Sequence, residues 1–454
     1  MEKTAAESPC HVILIPYPSQ GHINPLLQFA KRLASKAVRT TLAATHYTAA
    51  SIYAPGVAVC PISDGFDRAG FSEARNCSAY LDSFRAHGSR TLSELIEGAD
   101  HPVTCVVYDA FLPWALDVAR AHGVHGAAFF TNSAAVSAVF GHVHGGTLKL
   151  PPDVGEGRKI MLPGLPPLGL EDLPGFIREP ESYPAYLAMK LSQFSNLDEA
   201  DFVFCNSFEE LEGQEAKSVG NIWPAKLIGP MVPSSYLDGR IQGDKGYGAS
   251  LWKPLNKECS SWLETKPLKS VIYVSFGSMV SLTTKQTHEL ACALAHSASH
   301  FLWVVRDTER EKLPPEFSNS TKDKGLIVSW CNQLETLAHP SIGCFVSHCG
   351  WNSTLEGLSL RVPMVGMPQW ADQMTDARFI EVWGIGVRAR EDKHGVVTRD
   401  ELLSCLNQVM GCEEIRGNVR RWSDLAKRAC DEGGSSDRAI HDFVDHLKKN
   451  QNRL

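Results

Sequence analysis

The sequence predicts an α/β protein of two domains, each a parallel β-sheet flanked by helices. Three observations carry that expectation. Short apolar, β-branched runs alternate with longer amphipathic segments; these runs fall into two series; and a stretch rich in glycine and charge but poor in periodicity, YLDGRIQGDKGYGASLWKPLN at 236–256, separates the series. At 454 residues the chain is also long for one core and suits two of about 200 residues each.

The first series reads HVILIP (11–16), TTLAAT (40–45), VTCVVYDAF (103–111), GAAFFTN (126–132) and DFVFCNSF (201–208). The second reads SVIYVSFG (270–277), HFLWVVR (300–306), GLIVSW (325–330), IGCFVSH (342–348) and VPMVGMP (362–368). A strand covered on both faces is apolar throughout instead of alternating, and such strands separated by helices build parallel sheets. The boundary is expected near residue 245: an N-terminal domain at 1–240, a linker at 241–256, a C-terminal domain at 257–435, and a last helix at 436–454 that packs back toward the first domain. No internal repeat or low-complexity segment interrupts this plan.

Bulk properties exclude several classes. The formal charge of −7, with Lys and Arg scattered, leaves no electrostatic footprint for nucleic acid or anionic lipid. The opening stretch, MEKTAAESPCHVILIPYPSQGH, lacks a basic run and its apolar run covers only 12–15, so it is expected to form a first strand and not a secretory signal. No segment approaches the roughly 18 apolar residues of a spanning helix. Thirteen cysteines, an odd number without a CxxC pair, argue against a disulfide framework or zinc ribbon and for reduced thiols. The expectation is a cytoplasmic monomer without nucleic-acid partner or stable membrane insertion.

The richest chemistry lies at 330–373, WCNQLETLAHPSIGCFVSHCGWNSTLEGLSLRVPMVGMPQWADQ. Trp330 offers a flat face on which a nucleobase can stack, and Glu356 can accept two hydrogen bonds from a ribose diol. Between them an apolar run ends in Ser347-His348-Cys349-Gly350-Trp351-Asn352-Ser353 before the helical-looking TLEGLSL. Strand, small-residue turn and helix N-terminus together bind phosphate through backbone N–H groups and the helix dipole. Cys344, His348 and Cys349 lack the second ligand pair of a structural zinc site, so no metal is expected.

A second constellation lies in the first half. His22 follows the strand HVILIP in the turn PSQGH, ahead of the helix-like INPLLQFAKRLA. An imidazole with a pKa near ~6.5 at a strand's carboxyl end is suited to taking a proton from a hydroxyl. Asp109, at the tip of VTCVVYD, is the candidate to hold the other ring nitrogen; it could equally cap the helix-like segment that follows, and both roles coexist only if one oxygen stays free.

The segment 330–373 resembles the signature box of plant family 1 UDP-dependent glycosyltransferases at Trp330, Gln333, His348, Gly350, Trp351, Asn352, Ser353, Glu356, Asp372 and Gln373. PSQGHINP, YDAFLPW, SFGS and GGSS extend the resemblance over essentially the whole chain. It implies two facing Rossmann-like domains, the glycosyltransferase B fold, with donor and acceptor meeting in the cleft. It also implies UDP-glucose as donor co-substrate, with no prosthetic group. Trp330 would stack the uracil, the backbone of Cys331 would read its edge, and Gln333 and Glu356 would take the ribose hydroxyls. His348, Asn352, Ser353 and Ser278, with the Gly350 turn, would hold the phosphates. Asp372, Gln373 and Trp351 would contact the hexose, with Thr131 reaching in from the first half. In similar enzymes Gln at the end of the box goes with glucose and His with galactose. His22 and Asp109 match the family's base and its partner.

The expected activity is an inverting, metal-independent transfer of glucose from UDP-glucose to a small lipophilic plant-type acceptor, giving a β-glucoside or a glucose ester. The alternatives are a non-catalytic nucleotide-sugar-binding protein and a transferase using another UDP-sugar. A dinucleotide-dependent oxidoreductase is disfavoured, because no GxGxxG follows the first strand. Acceptor contacts are expected from loops of the first half, including Gly65, Phe66, Phe111, Phe140 and the proline-rich segment 162–174.

Overall fold

A computed structural model describes residues 10–152, 158–249 and 255–451. Parts of the expected segments therefore lie outside the described residues: 1–9 and 153–157 of the N-terminal domain, 250–254 of the linker and 452–454 of the last helix. The chain divides into two compact units, one of Met1–Leu168, Phe176–Leu251 and Arg428–Leu454, the other of Gly169–Gly175 and Trp252–Lys427.

The first unit is built on β1 (His11–Ile15), β2 (Arg39–Thr45), β3 (Ala58–Ile62), β4 (Val103–Asp109), β5 (His125–Phe130), β6 (Phe202–Cys205) and β7 (Lys226–Leu227), paired in the order β3-β2-β1-β4-β5-β6-β7. Every pairing is parallel. The central strands are the apolar runs: Val12 through Ile15 and Val106, Val107, Phe129 and Phe130 are all fully buried. From β1 the chain winds outward through β2 and β3, then returns to β4 on the other side of β1 and winds the opposite way. The strand order thus reverses between β1 and β4, and a doubly wound sheet binds its ligand beyond the carboxyl ends at such a reversal.

The last helix, Ser435–Gln451, belongs to this unit. Its Ile440, Phe443, Val444 and Leu447 join the apolar core, with the Phe443 ring 5.1 Å from Phe204 and 6.2 Å from Phe29. Each such buried side chain contributes roughly 1.5–3 kcal/mol of transfer free energy. The stretch leading to 249 is anchored in the same unit: the buried Asp244 accepts from Gln28 Nε2 at 2.6 Å, Lys31 Nζ at 2.9 Å and the Ser234 N–H at 2.7 Å.

The second unit carries β8 (Val271–Ser275), β9 (His300–Val304), β10 (Gly325–Val328), β11 (Ile342–Ser347), β12 (Met364–Gly366) and β13 (Gly386–Arg388), all parallel in the order β10-β9-β8-β11-β12-β13. Here the reversal falls between β8 and β11. The proline-rich segment 162–174 divides between the units. Its Gly169–Asp172 portion is bound to the second one by the Arg388 guanidinium, 3.1 Å from the Asp172 carboxylate, and by Thr375 Oγ1, which donates to the Asp172 carbonyl at 2.7 Å. No helix among the described residues is long and apolar enough to cross a membrane.

Candidate active site

The reversal in the first sheet places His22 and Asp109 together. The helix that follows β1 begins at Gln20, so His22 stands in its first turn and not ahead of it. The Ser19 carbonyl accepts the N–H groups of His22 and Ile23 at 3.0 and 2.9 Å, and the helix starts three residues before the apolar periodicity does. His22 Nδ1 lies 2.6 Å from Asp109 Oδ2, with the imidazole partly exposed and the carboxylate wholly buried. Asp109 divides its two oxygens. Oδ1 accepts the Phe111 N–H at 3.0 Å and closes the turn after β4, while Oδ2 takes the imidazole and the Tyr17 N–H at 3.3 Å. The helix that follows, Trp114–Ala121, has Pro113 at its cap position, so Asp109 is not its capping residue.

Thr131, at the end of β5, places Oγ1 3.0 Å from the same His22 Nδ1. Phe111 lies against the imidazole with centroids 4.6 Å apart, and Tyr17 meets it edge-on at 5.4 Å. Nδ1 is thus held by oxygens and the ring is walled by aromatics, which leaves Nε2 as the nitrogen that can accept a proton. Tyr17 escaped sequence reasoning although it sits inside the PYPSQGH stretch. Of the other residues expected to line an acceptor pocket, Gly65 has φ +82° and no room for a side chain, since a β-carbon there would fall 2.1 Å from Ser83 Oγ. Phe66 stacks on Tyr80 at 5.8 Å, and Phe140 is 1% exposed in the helix Ala134–His144.

In the second unit, β8 and β11 end in turns that enclose His348. A β-carbon on Gly277 (φ +67°) would lie 3.0 Å from His348 Nε2, and one on Gly350 would lie 2.6 Å from it. A side chain at Gly277 would meet both a strained left-handed backbone and the His348 ring. Burial lowers the His348 pKa to about 4, with the Ser275 backbone opposing, so the ring is neutral at physiological pH and offers an N–H, not a cation. Cys349 takes φ 64°, and Gly350 stands at the N-cap of the helix Trp351–Ser359 without a capping side chain. Such a turn at a helix N-terminus can present backbone N–H groups to an anion. Ser278 follows β8 in a loop whose carbonyls at Ser278 and Val280 are clamped by the Arg306 guanidinium, a residue that spacing alone does not single out.

Gln333, Ser353 and Glu356 form one hydrogen-bonded cluster: Gln333 Nε2 donates to Ser353 Oγ at 2.9 Å and to Glu356 Oε2 at 2.7 Å. Tyr273, in β8, completes it by donating to Gln333 Oε1 at 3.2 Å. Trp330 is half-buried at the carboxyl end of β10, and its carbonyl accepts the Leu255 N–H at 3.0 Å. Cys331 is buried, its Sγ 3.5 Å from the Tyr273 hydroxyl. Asp372 precedes the helix Gln373–Val382, and Gln373, which alone would pass for a surface amide, is 5% exposed. Its Oε1 accepts the N–H groups of Gln369 and Trp370 at 2.9 and 3.2 Å. Asn352 stands half-buried in the first turn of its helix. The Trp351 ring is buried against Trp383 at 6.1 Å, because the first turn of its helix points that side chain into the core. Among the described residues no group of three or more His, Cys, Asp or Glu side chains is placed to hold a metal ion.

The chain is similar to known proteins over nearly its whole length. The family model described as UDP-glucoronosyl and UDP-glucosyl transferase matches residues 219–439. UDP-glycosyltransferase 74B1 of Arabidopsis thaliana is 50% identical over 99% of this chain and 100% of its own. Mogroside I-E synthase of Siraitia grosvenorii is 45% identical over 97% of this chain and 98% of its own. The crystal structure of Os79 from O. sativa in complex with UDP superposes with a TM-score of 0.90 at 40% identity, covering 96% of this chain and all of that one; Os79 has also been solved with U2F and a trichothecene. Two parallel-sheet units of the glycosyltransferase B fold and full-length likeness at such identity place the chain in the family of plant UDP-glycosyltransferases.

Proposed function

We propose that this UDP-glycosyltransferase is an inverting, UDP-glucose-dependent glucosyltransferase acting on small lipophilic metabolites, with His22 as general base and Asp109 as its orienting partner. The observation that carries the reading is the 2.6 Å contact between these two side chains at the point where the first sheet reverses its order. The acceptor hydroxyl would give its proton to His22 Nε2 as its oxygen attacks the anomeric carbon. UDP would leave from the opposite face, so an α-linked donor gives a β-glucoside. Asp109 would remain ionised and stabilise the imidazolium. Such a base contributes roughly 10²–10⁴-fold.

On the donor side, Trp330 and the Cys331 backbone would hold uracil. The Gln333–Ser353–Glu356 cluster would present Glu356 to the ribose, and the His348–Gly350–Asn352 turn with Ser278 would take the diphosphate. A neutral His348 donating an N–H, together with backbone amides, supports charge stabilisation without a metal. With Gln373 Oε1 bound to the backbone, its Nε2 would serve a glucose hydroxyl beside Asp372. Any contact from Trp351 to the sugar would come from its main chain, since the ring is buried.

The test is a panel of phenols, aromatic acids, terpenoid acids and sesquiterpenoid alcohols with UDP-glucose, with UDP-galactose and UDP-rhamnose as donor controls. Transfer from UDP-glucose in excess chelator, with a β-linkage in the product, is expected. UDP-sugar binding without transfer to any acceptor would mark a binding protein instead, and a stronger rate with another sugar would move the donor assignment.

A further inference from the structure

Residues 169–175 come from the N-terminal half of the chain yet belong to the second unit. They are hydrogen-bonded to the turn that carries Asp372 and Gln373 on both sides of that pair. Before it, the Ala371 carbonyl accepts the Gly175 N–H at 2.7 Å; after it, Thr375 Oγ1 donates to the Asp172 carbonyl at 2.7 Å. Ala371 takes φ 58°, a left-handed conformation that a residue with a side chain holds only where its surroundings fix it. The Asp172 carboxylate, 2% exposed as a residue, anchors this strap: one oxygen accepts Arg388 Nη1 at 3.1 Å and the other the Gly169 N–H at 2.8 Å, with Arg378 Nε 4.0 Å away. Arg388 also donates from Nη2 to the Glu171 carbonyl at 3.2 Å, and its backbone N–H donates to Glu381 Oε1 at 3.3 Å on the helix that begins at Gln373. Two guanidinium bonds to one short segment fix its orientation as well as its place.

We propose that Asp172 and Arg388 are positioning residues for the transferred sugar: through the 169–175 strap they hold the 371–373 turn in the conformation that meets the hexose, and so set affinity for the sugar without setting affinity for the nucleotide. The inference rests on the glucosyltransferase reading above, in which Asp372 and Gln373 take glucose hydroxyls. The groups assigned there to uracil, ribose and diphosphate lie on the chain that follows β8, β10 and β11, away in sequence from the 371–373 turn. A fault in the strap therefore reaches the sugar and spares UDP. The buried ion pair is the sensitive point, because removing one charge leaves the other uncompensated. Neither residue touches the reacting atoms; the strap acts through Ala371 and Thr375.

The experiment compares the parent with Asp172→Asn, Arg388→Met and Thr375→Val, measuring Kd for UDP by calorimetry and KM for UDP-glucose on a phenolic acceptor. Asp172→Asn keeps the shape of the side chain and an oxygen for the Gly169 N–H while removing the charge. Thr375→Val removes a single hydroxyl, so it tests the strap even where a charge variant fails to fold. KM for UDP-glucose is expected to rise about fivefold or more in the two charge variants and about two- to fivefold in Thr375→Val, while Kd for UDP stays within about twofold of the parent. Equal losses of affinity for UDP and UDP-glucose would show a merely structural role, and an unchanged KM in the folded variants would show that the strap does not govern the sugar site. Either result would overturn the proposal while leaving the transferase reading intact. Absence of transfer from UDP-glucose by the parent, across the whole acceptor panel, would instead remove the transferase reading and this inference with it.

Discussion

His348 Nε2 occupies the position that forbids a side chain at Gly350: a β-carbon there would lie 2.6 Å away. Gly350 itself has φ −59°, so alanine would meet no backbone strain and the whole effect of substitution would be steric. Overpacking of this kind costs about 1–3 kcal/mol, and here it displaces the ring proposed to hold the diphosphate. Gly350→Ala is expected to weaken UDP binding at least tenfold in calorimetry. Unchanged affinity would show that the imidazole does not face the nucleotide.

Burial gives His348 a pH signature. Its pKa is about 4 in the folded protein, against ~6.5 in an unfolded chain. Because the folded value is the lower one, the stability attached to the neutral ring is fully present above about pH 6.5 and is lost as the pH falls from there toward 4. His348→Gln has no such group. Denaturant midpoints measured from pH 7.5 down to 4.5 should fall more steeply for the parent than for the variant, and parallel curves would count against the buried neutral ring.

Glu212 has the opposite sign. Its buried carboxylate accepts the Ala134 and Ala135 N–H groups at 3.0 and 2.9 Å and the Ser207 hydroxyl at 2.6 Å, at the start of the helix that carries Phe140. Burial raises its pKa to about 7 against those hydrogen bonds. The folded state therefore holds this proton more tightly than the unfolded chain. The associated stability is complete below about pH 4.5 and is lost as the pH rises through 7. Glu212→Gln should remove that component of the Tm profile between pH 5 and 8. Glu212→Ala, which strips three donors of their acceptor, should lower Tm by about 5–10 °C at pH 7. A Tm within about a degree of the parent would mean that water replaces the carboxylate.

Most of the strands that spacing revealed are covered on both faces, the edge strand β10 being an exception. β1, β4, β5, β8 and β11 are continuous apolar runs, whereas β3, β7 and β13 were not legible. Each of these three lies at a sheet edge: β3 contains Pro61 and is largely exposed, β7 has two residues, and β13 has three. An edge strand needs neither length nor two apolar faces, so it leaves little periodic signal. Within the site, the motif residues could be found by spacing, but their partners could not. Tyr273 reads as one more buried strand residue until its hydroxyl is seen on Gln333, and Asp172 reads as part of a proline-rich loop until the fold lays it on Arg388. Nothing local in the sequence predicts a contact made by a side chain 60 residues away, as in Tyr273 with Gln333.

Asp109 supplies a prediction through its division of labour. Asp109→Asn keeps the turn bond to the Phe111 N–H but removes the charge that stabilises the imidazolium, so kcat on a phenol should fall by roughly 10²–10⁴ while UDP affinity stays near that of the parent. Loss of UDP affinity of the same size as the loss of kcat would point to a structural role instead.

The most direct measurement is kcat/KM of His22→Ala on a phenolic acceptor with UDP-glucose. The imidazole that rests 2.6 Å from Asp109 is the only group assigned to take the acceptor proton, so a fall of about 10²–10⁴ is expected with UDP binding retained. Turnover equal to that of the parent would contradict the account, because the chemistry would then run without the residue placed at its centre.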